Sequence, residues 1–280
     1  MSDREDGIRN TELDGGEPRL MATLRLLGTA AYPRVGETVH LLLAAGEDHL
    51  LVDAGTQIPA TLEELGYSPG DVTDLFCTHS HSDHLLGVPN VLLGRFFARI
   101  GAIRATPPTR PLTVRGGPDT VSDLRALMEI VTPGLEAVLA DEDDVRETSV
   151  GETFSIGDVT VEVAPAAHAV PTQGLVFEGD RRIVYTADTA ATPALRDHVG
   201  SCDVVIHEAM YADDRTELAA DLGHGTAREA GTFAAATDAD ELWLVHIADR
   251  YETARPLRRQ AEAEFDGRVV VPERFDALSL

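Results

Sequence analysis

The segment Thr78-His79-Ser80-His81-Ser82-Asp83-His84 constrains this chain more than any other. Three imidazoles and one carboxylate fall within six positions, directly after the apolar run Leu75 to Thr78, so the cluster lies on a loop at a strand end. Imidazole nitrogen and carboxylate oxygen together suit zinc and similar borderline ions. His79 and His81 can reach one point while Asp83 and His84 face another, which implies two neighbouring ions. Ligands from elsewhere must complete such a site, so the fold has to bring distant strand ends to one edge.

Three further residues occupy equivalent places. His168 follows VTVEVAPAA, Asp188 follows RRIVYTA and His246 follows ELWLV, each a strand pattern. The rest of the pattern is α/β. Strands are expected at Leu24 to Thr29, Val39 to Ala44, Leu50 to Asp53, Leu75 to Thr78, Leu112 to Arg115, Val159 to Ala164, Leu175 to Phe177, Ile183 to Thr186, Asp203 to His207, Leu242 to His246 and Val269 to Val271. Helical spacing is found at Ile58 to Leu65, Val91 to Ile100, Thr120 to Val131, Pro193 to Val199, Thr226 to Thr237 and Pro256 to Phe265. The run Asp141 to Glu147 reads as a solvated loop. With 280 residues, the expectation is an acidic, disordered tail over 1–20 and one α/β domain with two packed sheets over 21–280.

Charge narrows the setting. There are 48 acidic residues against 23 basic ones, every base is arginine, and the formal net charge is −25. Such repulsion is tolerable in molar salt, where it is screened over about 3 Å, so a halophilic protein is expected. No apolar run is long enough for a membrane span and no leader is visible, so the expected location is the cytoplasm. The two cysteines, Cys77 and Cys202, are too few for a disulfide scaffold or a thiolate metal site and read as free thiols on buried strands. Against the acidic background, residues 84–118 carry five arginines (Arg95, Arg99, Arg104, Arg110, Arg115) and no acid. This island either attracts an anionic substrate or lays its aliphatic stems over apolar surface.

These residues and their order resemble the metallo-β-lactamase superfamily of binuclear hydrolases, over about residues 23 to 272. The resemblance implies an αββα sandwich, two mixed sheets with helices on their outer faces. It implies that His79, His81 and His168 hold one metal, that Asp83, His84 and His246 hold the second, and that Asp188 bridges them. The ions would be two divalent metals, zinc first, with manganese or iron suiting the same ligands. Asp53, in Val52-Asp53-Ala54-Gly55, matches the family's buried aspartate that orients a ligand without binding metal.

Four pieces resemble the ribonuclease Z branch: Leu27-Gly28-Thr29-Ala30; His207-Glu208-Ala209, with Met210 in place of threonine; Gly223-His224-Gly225-Thr226-Ala227, with Gly225 in place of serine; and His246-Ile247-Ala248-Asp249-Arg250-Tyr251, with Ala248 in place of serine. The implied reaction is attack of a metal-bound hydroxide on a phosphodiester. Asp83 orients or deprotonates the water, His224 protonates the leaving oxygen under the control of Glu208, and Arg250 grips a phosphate oxygen. The bland alternatives are an N-cap role for His224, a simple ion pair for Glu208 and a surface position for Arg250. The branch's tRNA-gripping arm lies between the residues matching His168 and Asp188. Here they are only 20 positions apart, room for one hairpin. The expected substrate is therefore a small anionic phosphodiester or nucleotide, with RNA, and tRNA 3′-end cleavage, the narrower case. The competing readings are hydrolysis of a lactone, thioester, β-lactam or sulfate ester on the same fold, and a non-catalytic scaffold, which the complete ligand set disfavours. A homodimer is also implied by the resemblance.

Overall fold

The computed structural model describes residues 21–32, 38–133 and 144–280. The acidic stretch 1–20 lies outside them. Fourteen strands are found among the described residues, in two seven-stranded sheets. The first contains β1 (Thr23–Gly28), β2 (His40–Ala45), β3 (Asp48–Val52), β4 (Asp74–Cys77), β5 (Thr113–Gly116), β6 (Asp144–Glu147) and β14 (Ala277–Ser279), in the order β14-β1-β2-β3-β4-β5-β6. The second contains β7 (Thr153–Ile156), β8 (Val159–Pro165), β9 (Gln173–Glu178), β10 (Arg182–Tyr185), β11 (Val204–Glu208), β12 (Glu241–Val245) and β13 (Arg268–Val270), in the order β13-β12-β11-β10-β9-β8-β7.

Burial explains the layering. One apolar cluster joins the inner faces of both sheets, with Leu24, Leu41, Phe76, Phe177, Tyr185 and Ile206 among its members. A second packs the outer face of the second sheet against helices Pro193–Val199, Ala227–Ala236 and Arg255–Glu262. A third packs the outer face of the first sheet against Ile58–Glu64, Val88–Arg99 and Pro118–Val131. The result is helix, sheet, sheet, helix. Strands covered on both sides, such as β4 (Asp-Leu-Phe-Cys) and β11 (Val-Val-Ile-His-Glu), are buried along their whole length, as continuous apolar runs require.

In each sheet the antiparallel strands pass into a parallel set. β3, β4, β5 and β6 pair in parallel, as do β10, β11, β12 and β13. Parallel neighbours joined by crossover helices end at the same edge, and loops at that edge gather ligands. Asp53, His79, Glu208 and His246 all sit at or just past such strand ends.

Three expectations need correction. Of the acidic run read as a loop, residues 141–143 lie outside the described residues, and Asp144–Glu147 is a strand. It pairs in parallel with Thr113–Gly116 at the sheet edge, where one neighbour and solvent tolerate charge. β14 was not expected: the pairs Leu24↔Leu278 and Thr23↔Ser279 extend the first sheet beyond the strand read as the last. Cys202 precedes β11 instead of lying on a strand, although both cysteines are buried and free. No helix among the described residues is long and apolar enough to cross a membrane.

Candidate metal centre

Three strand ends turn sharply at residues with positive φ: Asp53 (61°), Ala187 (52°) and His246 (55°). For non-glycine residues this left-handed conformation costs about 1–3 kcal/mol each. Burying one or two large apolar side chains offsets that, at about 1.5–3 kcal/mol apiece. Asp53 and His246 stand at two of these turns, and Asp188 directly follows Ala187 at the third.

In the cleft at these strand ends, His79, His84, Asp188 and His246 are buried, while Asp83, His81 and His168 are half-buried and line the open side. His168 Nε2 lies 3.1 Å from His81 Nδ1. Asp188 Oδ2 lies 3.8 Å from His79 Nε2, 3.4 Å from His84 Nε2 and 3.2 Å from His246 Nε2. Asp83 Oδ2 lies 3.5 Å from His84 Nε2 and 3.6 Å from His246 Nε2. Two triads, His79–His81–His168 and Asp83–His84–His246, thus flank Asp188.

These residues fit divalent ions on their own chemistry. The Nε2 atoms of His79, His84 and His246 are buried and have no hydrogen-bond partner among the described residues, a costly arrangement unless something else takes their lone pairs. Ligand atoms around a tetrahedral ion with bonds of ~2.0–2.1 Å lie ~3.3 Å apart, close to the separations found.

The Nδ1 atoms of His84 and His168 are tied down, whereas that of His246 has no partner among the described residues. Asp53 is fully buried. Its Oδ1 accepts from the Thr78 amide (2.7 Å), and its Oδ2 accepts from the Thr78 hydroxyl (2.8 Å) and from His84 Nδ1 (2.8 Å). His168 Nδ1 donates to the Gly223 carbonyl (2.7 Å), which leaves its Nε2 as the lone-pair nitrogen. Such outer contacts fix the tautomer and direction of a metal-binding imidazole.

The electrostatics split the two sides. Burial, reinforced by the neighbouring His84, pushes His79 well below the ordinary imidazole value; burial with His168 nearby lowers His81, and burial lowers His168. These imidazoles are held neutral. Burial also disfavours charge on His84 and His246, but attraction to Asp188, joined by Asp53 for His84 and by the nearby Asp83 carboxylate for His246, outweighs it and raises both. Burial opposes ionisation of Asp83 and Asp188, yet the facing histidines hold both carboxyls below the usual range.

Beside the cluster stands a second pair. Glu208, at the end of β11, is buried; its Oε1 accepts from His224 Nδ1 (2.8 Å) and from the Thr189 amide (2.9 Å), and its Oε2 from the Met210 amide (3.2 Å). A ring nitrogen of His224 lies within 4.8 Å of ligating atoms of His168 and Asp188, and its ring stacks on His246 at 5.2 Å between centroids. His224 is not the helix cap: Thr226 caps Ala227–Ala236 in a capping box with Glu229. Arg250 contacts Asp214 (3.9 Å) and the Tyr251 ring, and neither is part of the cluster.

The basic island divides. Arg95 is buried and donates to the carbonyls of Gly70 (3.2 Å), Val72 and Arg110 (2.7 Å). Arg115 is buried against Asp74 (2.5 Å) and the Phe154 ring. Arg110 pairs with Asp48. Three of its five arginines are therefore engaged in holding the first sheet and its flanks together.

Sequence reasoning passed over His40. It is buried on β2, and its Nε2 accepts from the Thr38 hydroxyl (2.6 Å) and the Gly55 amide (3.2 Å). Burial and the neighbouring His84 push it down to about 3. A lone histidine in the apolar run Val39-His40-Leu41-Leu42-Leu43 was the available signal.

Two seven-stranded sheets between helices, with a histidine–aspartate cleft at the strand ends, define a metal-dependent hydrolase of the metallo-β-lactamase fold. The chain belongs to the family described as “Anti-Pycsar protein Apyc1”, whose sequence model matches residues 23–268. It is also 30% identical to the ribonuclease Z of Halorubrum lacusprofundi, over 83% of this chain and 88% of that protein. With the ribonuclease Z of Natronomonas pharaonis the identity is 29%, over 83% and 89%. Among solved structures, the metallo-β-lactamase fold protein YhfI of Bacillus subtilis superposes with a TM-score of 0.75 at 21% identity, covering 93% of this chain and 99% of that one. The short form of human tRNase Z superposes with a TM-score of 0.70 at 22% identity, covering 92% and 98%.

Proposed function

We propose that this hydrolase is a binuclear phosphodiesterase acting on a nucleotide or another small phosphodiester, cyclic ones included. The observation that carries the reading is the Glu208–His224 pair beside the His/Asp cluster. A thioester, which expels a thiolate, has little need of a dedicated acid at that point, whereas the poor alkoxide leaving group of a phosphodiester does.

His79, His81 and His168 would hold one ion and Asp83, His84 and His246 the other, with Asp188 between them. Zinc is the first choice, and manganese or iron suits the same donors. When bound, two such ions supply a nucleophilic oxygen at neutral pH and neutralise charge on the phosphoryl group. The rest falls to side chains. Asp83, on the open side, orients the attacking water and takes its proton. As the P–O bond to the leaving group breaks, His224 gives its Nε2 proton to the departing oxygen. Glu208 holds the opposite edge of that ring, so Nε2 is the nitrogen left to face substrate. Asp53 fixes His84, and Arg250 is assigned a phosphate oxygen.

The link between His168 and Asp188 is taken up by the antiparallel strands β9 and β10, which belong to the second sheet. This favours a small substrate over a tRNA held by an arm at that point. The acid excess supports a protein adapted to high salt.

The test is a substrate panel in molar KCl with zinc or manganese: bis(p-nitrophenyl) phosphate, a p-nitrophenyl carboxylate ester, a lactone and nitrocefin. Diester cleavage that Asp188→Ala abolishes is the expected result. Turnover of only the ester, lactone or nitrocefin would overturn the choice of bond.

A further inference from the structure

We propose that His40 is a positioning residue for the metal centre, a neutral imidazole that locks the Asp53–Gly55 turn against the ligand-bearing segment 83–87. The inference rests on the reading of the cleft as a metal site, but its observations are separate from the ligands.

The Asp53–Gly55 turn is wedged between two walls. On one side stands His40, whose Nε2 receives the Gly55 amide. On the other side is the short helix Ser82–Leu85. The Ala54 amide donates to the His84 carbonyl (2.6 Å), and the Gly87 amide returns to the Ala54 carbonyl (2.8 Å). The fit leaves no slack. A Cβ on Gly55 would come within 2.7 Å of the Asp83 carbonyl and 2.9 Å of His40 Nε2, and one on Gly87 would collide with the Gly55 carbonyl. Moving this turn moves Asp53, which directs His84, and the backbone that carries Asp83.

His40 also reaches the second sheet's ligand. Thr38, whose hydroxyl donates to His40, bridges to Ala30, and Ala30 bridges in turn to Ile247. The His246 amide donates to the Thr29 carbonyl (2.7 Å). The imidazole thus bonds directly to the turn that bears Asp53, which packs on the segment of Asp83 and His84, and its partner Thr38 leads through Ala30 to the segment of His246.

Its chemistry suits that task. The Gly55 amide can only donate, so Nε2 carries the lone pair and Nδ1 the hydrogen, and the Thr38 hydroxyl turns its own hydrogen to the same nitrogen. Nδ1 is buried with no partner among the described residues. A leucine would fill the apolar strand without that cost, so the retained imidazole is explained by what its Nε2 does.

The experiment uses the full chain with three substitutions. His40→Leu keeps bulk and removes the acceptor. His40→Gln returns an acceptor oxygen near the place of Nε2. Thr38→Val removes one donor. Cobalt affinity is measured by chelator competition, with the visible Co²⁺ spectrum and the melting temperature of the metal-free protein as companion readouts.

The expected result is a 10–100-fold loss of affinity and an altered spectrum for His40→Leu, the scale seen for outer contacts of metal ligands. His40→Gln should stay within about threefold of wild type, and Thr38→Val should fall between the two. Unchanged affinity and spectrum in a folded His40→Leu would overturn the proposal, as would equal losses in the Leu and Gln variants that track melting temperature alone. If His40→Leu does not fold, Thr38→Val decides: wild-type affinity there overturns the proposal. No cobalt bound by wild type would sink both this role and the metal reading beneath it. Histidine ¹⁵N spectra add a direct check, since His40 with hydrogen on Nε2 contradicts the geometry.

Discussion

Replacing Glu208 by glutamine separates the roles in the cleft. The Glu208 carboxylate accepts three N–H groups, from His224, Thr189 and Met210. Glutamine has one oxygen and one NH₂, so whichever way the amide is turned, at least one of those N–H groups faces another donor. The charge-assisted bond to His224 is lost as well. Bonds of that kind contribute about 1.5–3 kcal/mol. At ~1.4 kcal/mol per decade, the loss corresponds to roughly 10–150-fold in rate if that bond strengthens in the transition state. The loss should depend on the leaving group. A diester that expels an alkoxide should show all of it in kcat, whereas bis(p-nitrophenyl) phosphate should lose less than about fivefold, because its leaving group needs little protonation. Steady-state kinetics on both substrates, with metal content measured in the same samples, checks this. Equal losses on the two substrates, or metal loss that accounts for the rate, would refute the assignment of His224 as the acid.

Other expected outcomes follow from the same contacts. Arg95→Met strands several carbonyls around a buried site and should cost about 3–5 kcal/mol, roughly 10 °C in melting temperature, with KM for the diester unchanged; a raised KM at unaltered stability would instead make the island a substrate guide. His40 is depressed from 6.5 to about 3 in the folded chain, so the unfolded chain takes up its proton first as pH falls. The stability this histidine contributes is complete above about pH 6.5 and is lost between there and about pH 3. Relative to His40→Gln, the metal-free wild type should therefore lose about 2 kcal/mol between pH 6.5 and 5, read by denaturation at each pH, and parallel curves would contradict it. With a net charge of −25, the melting temperature should rise by on the order of 5 °C when KCl goes from 0.2 to 2 M, because screening relieves self-repulsion; a flat or falling curve would count against adaptation to high salt.

Much of this architecture was legible because ligand and strand signals coincide. His79, His168, Asp188 and His246 each follow an apolar run that ends in a polar residue with metal-binding chemistry, and a run of that kind has few ways to be placed. Asp53 was readable from Val52-Asp53-Ala54-Gly55 for the same reason. What escaped depends on partners distant in sequence. β14 is only Ala-Leu-Ser, and it forms a strand because β1 offers an open edge. Asp144–Glu147 has a charged pattern that local propensity reads as loop, and pairing with β5 overrides it. His40 could not be told from a packed core histidine until Gly55, 15 positions away, was seen to donate to it. Arg250 was placed by its motif alone, and its contacts with Asp214 and Tyr251 leave its work on a phosphate to be tested.

The most direct measurement is a stepwise zinc titration of the metal-free chain, with bound ions counted and diester hydrolysis followed in the same samples. Two ions per chain are expected, with turnover rising mainly as the second binds, and Asp188→Ala should lose both the second ion and the activity. Saturation at one ion with full turnover would contradict the binuclear site. Two ions bound with no cleavage of any phosphodiester would contradict the proposed reaction.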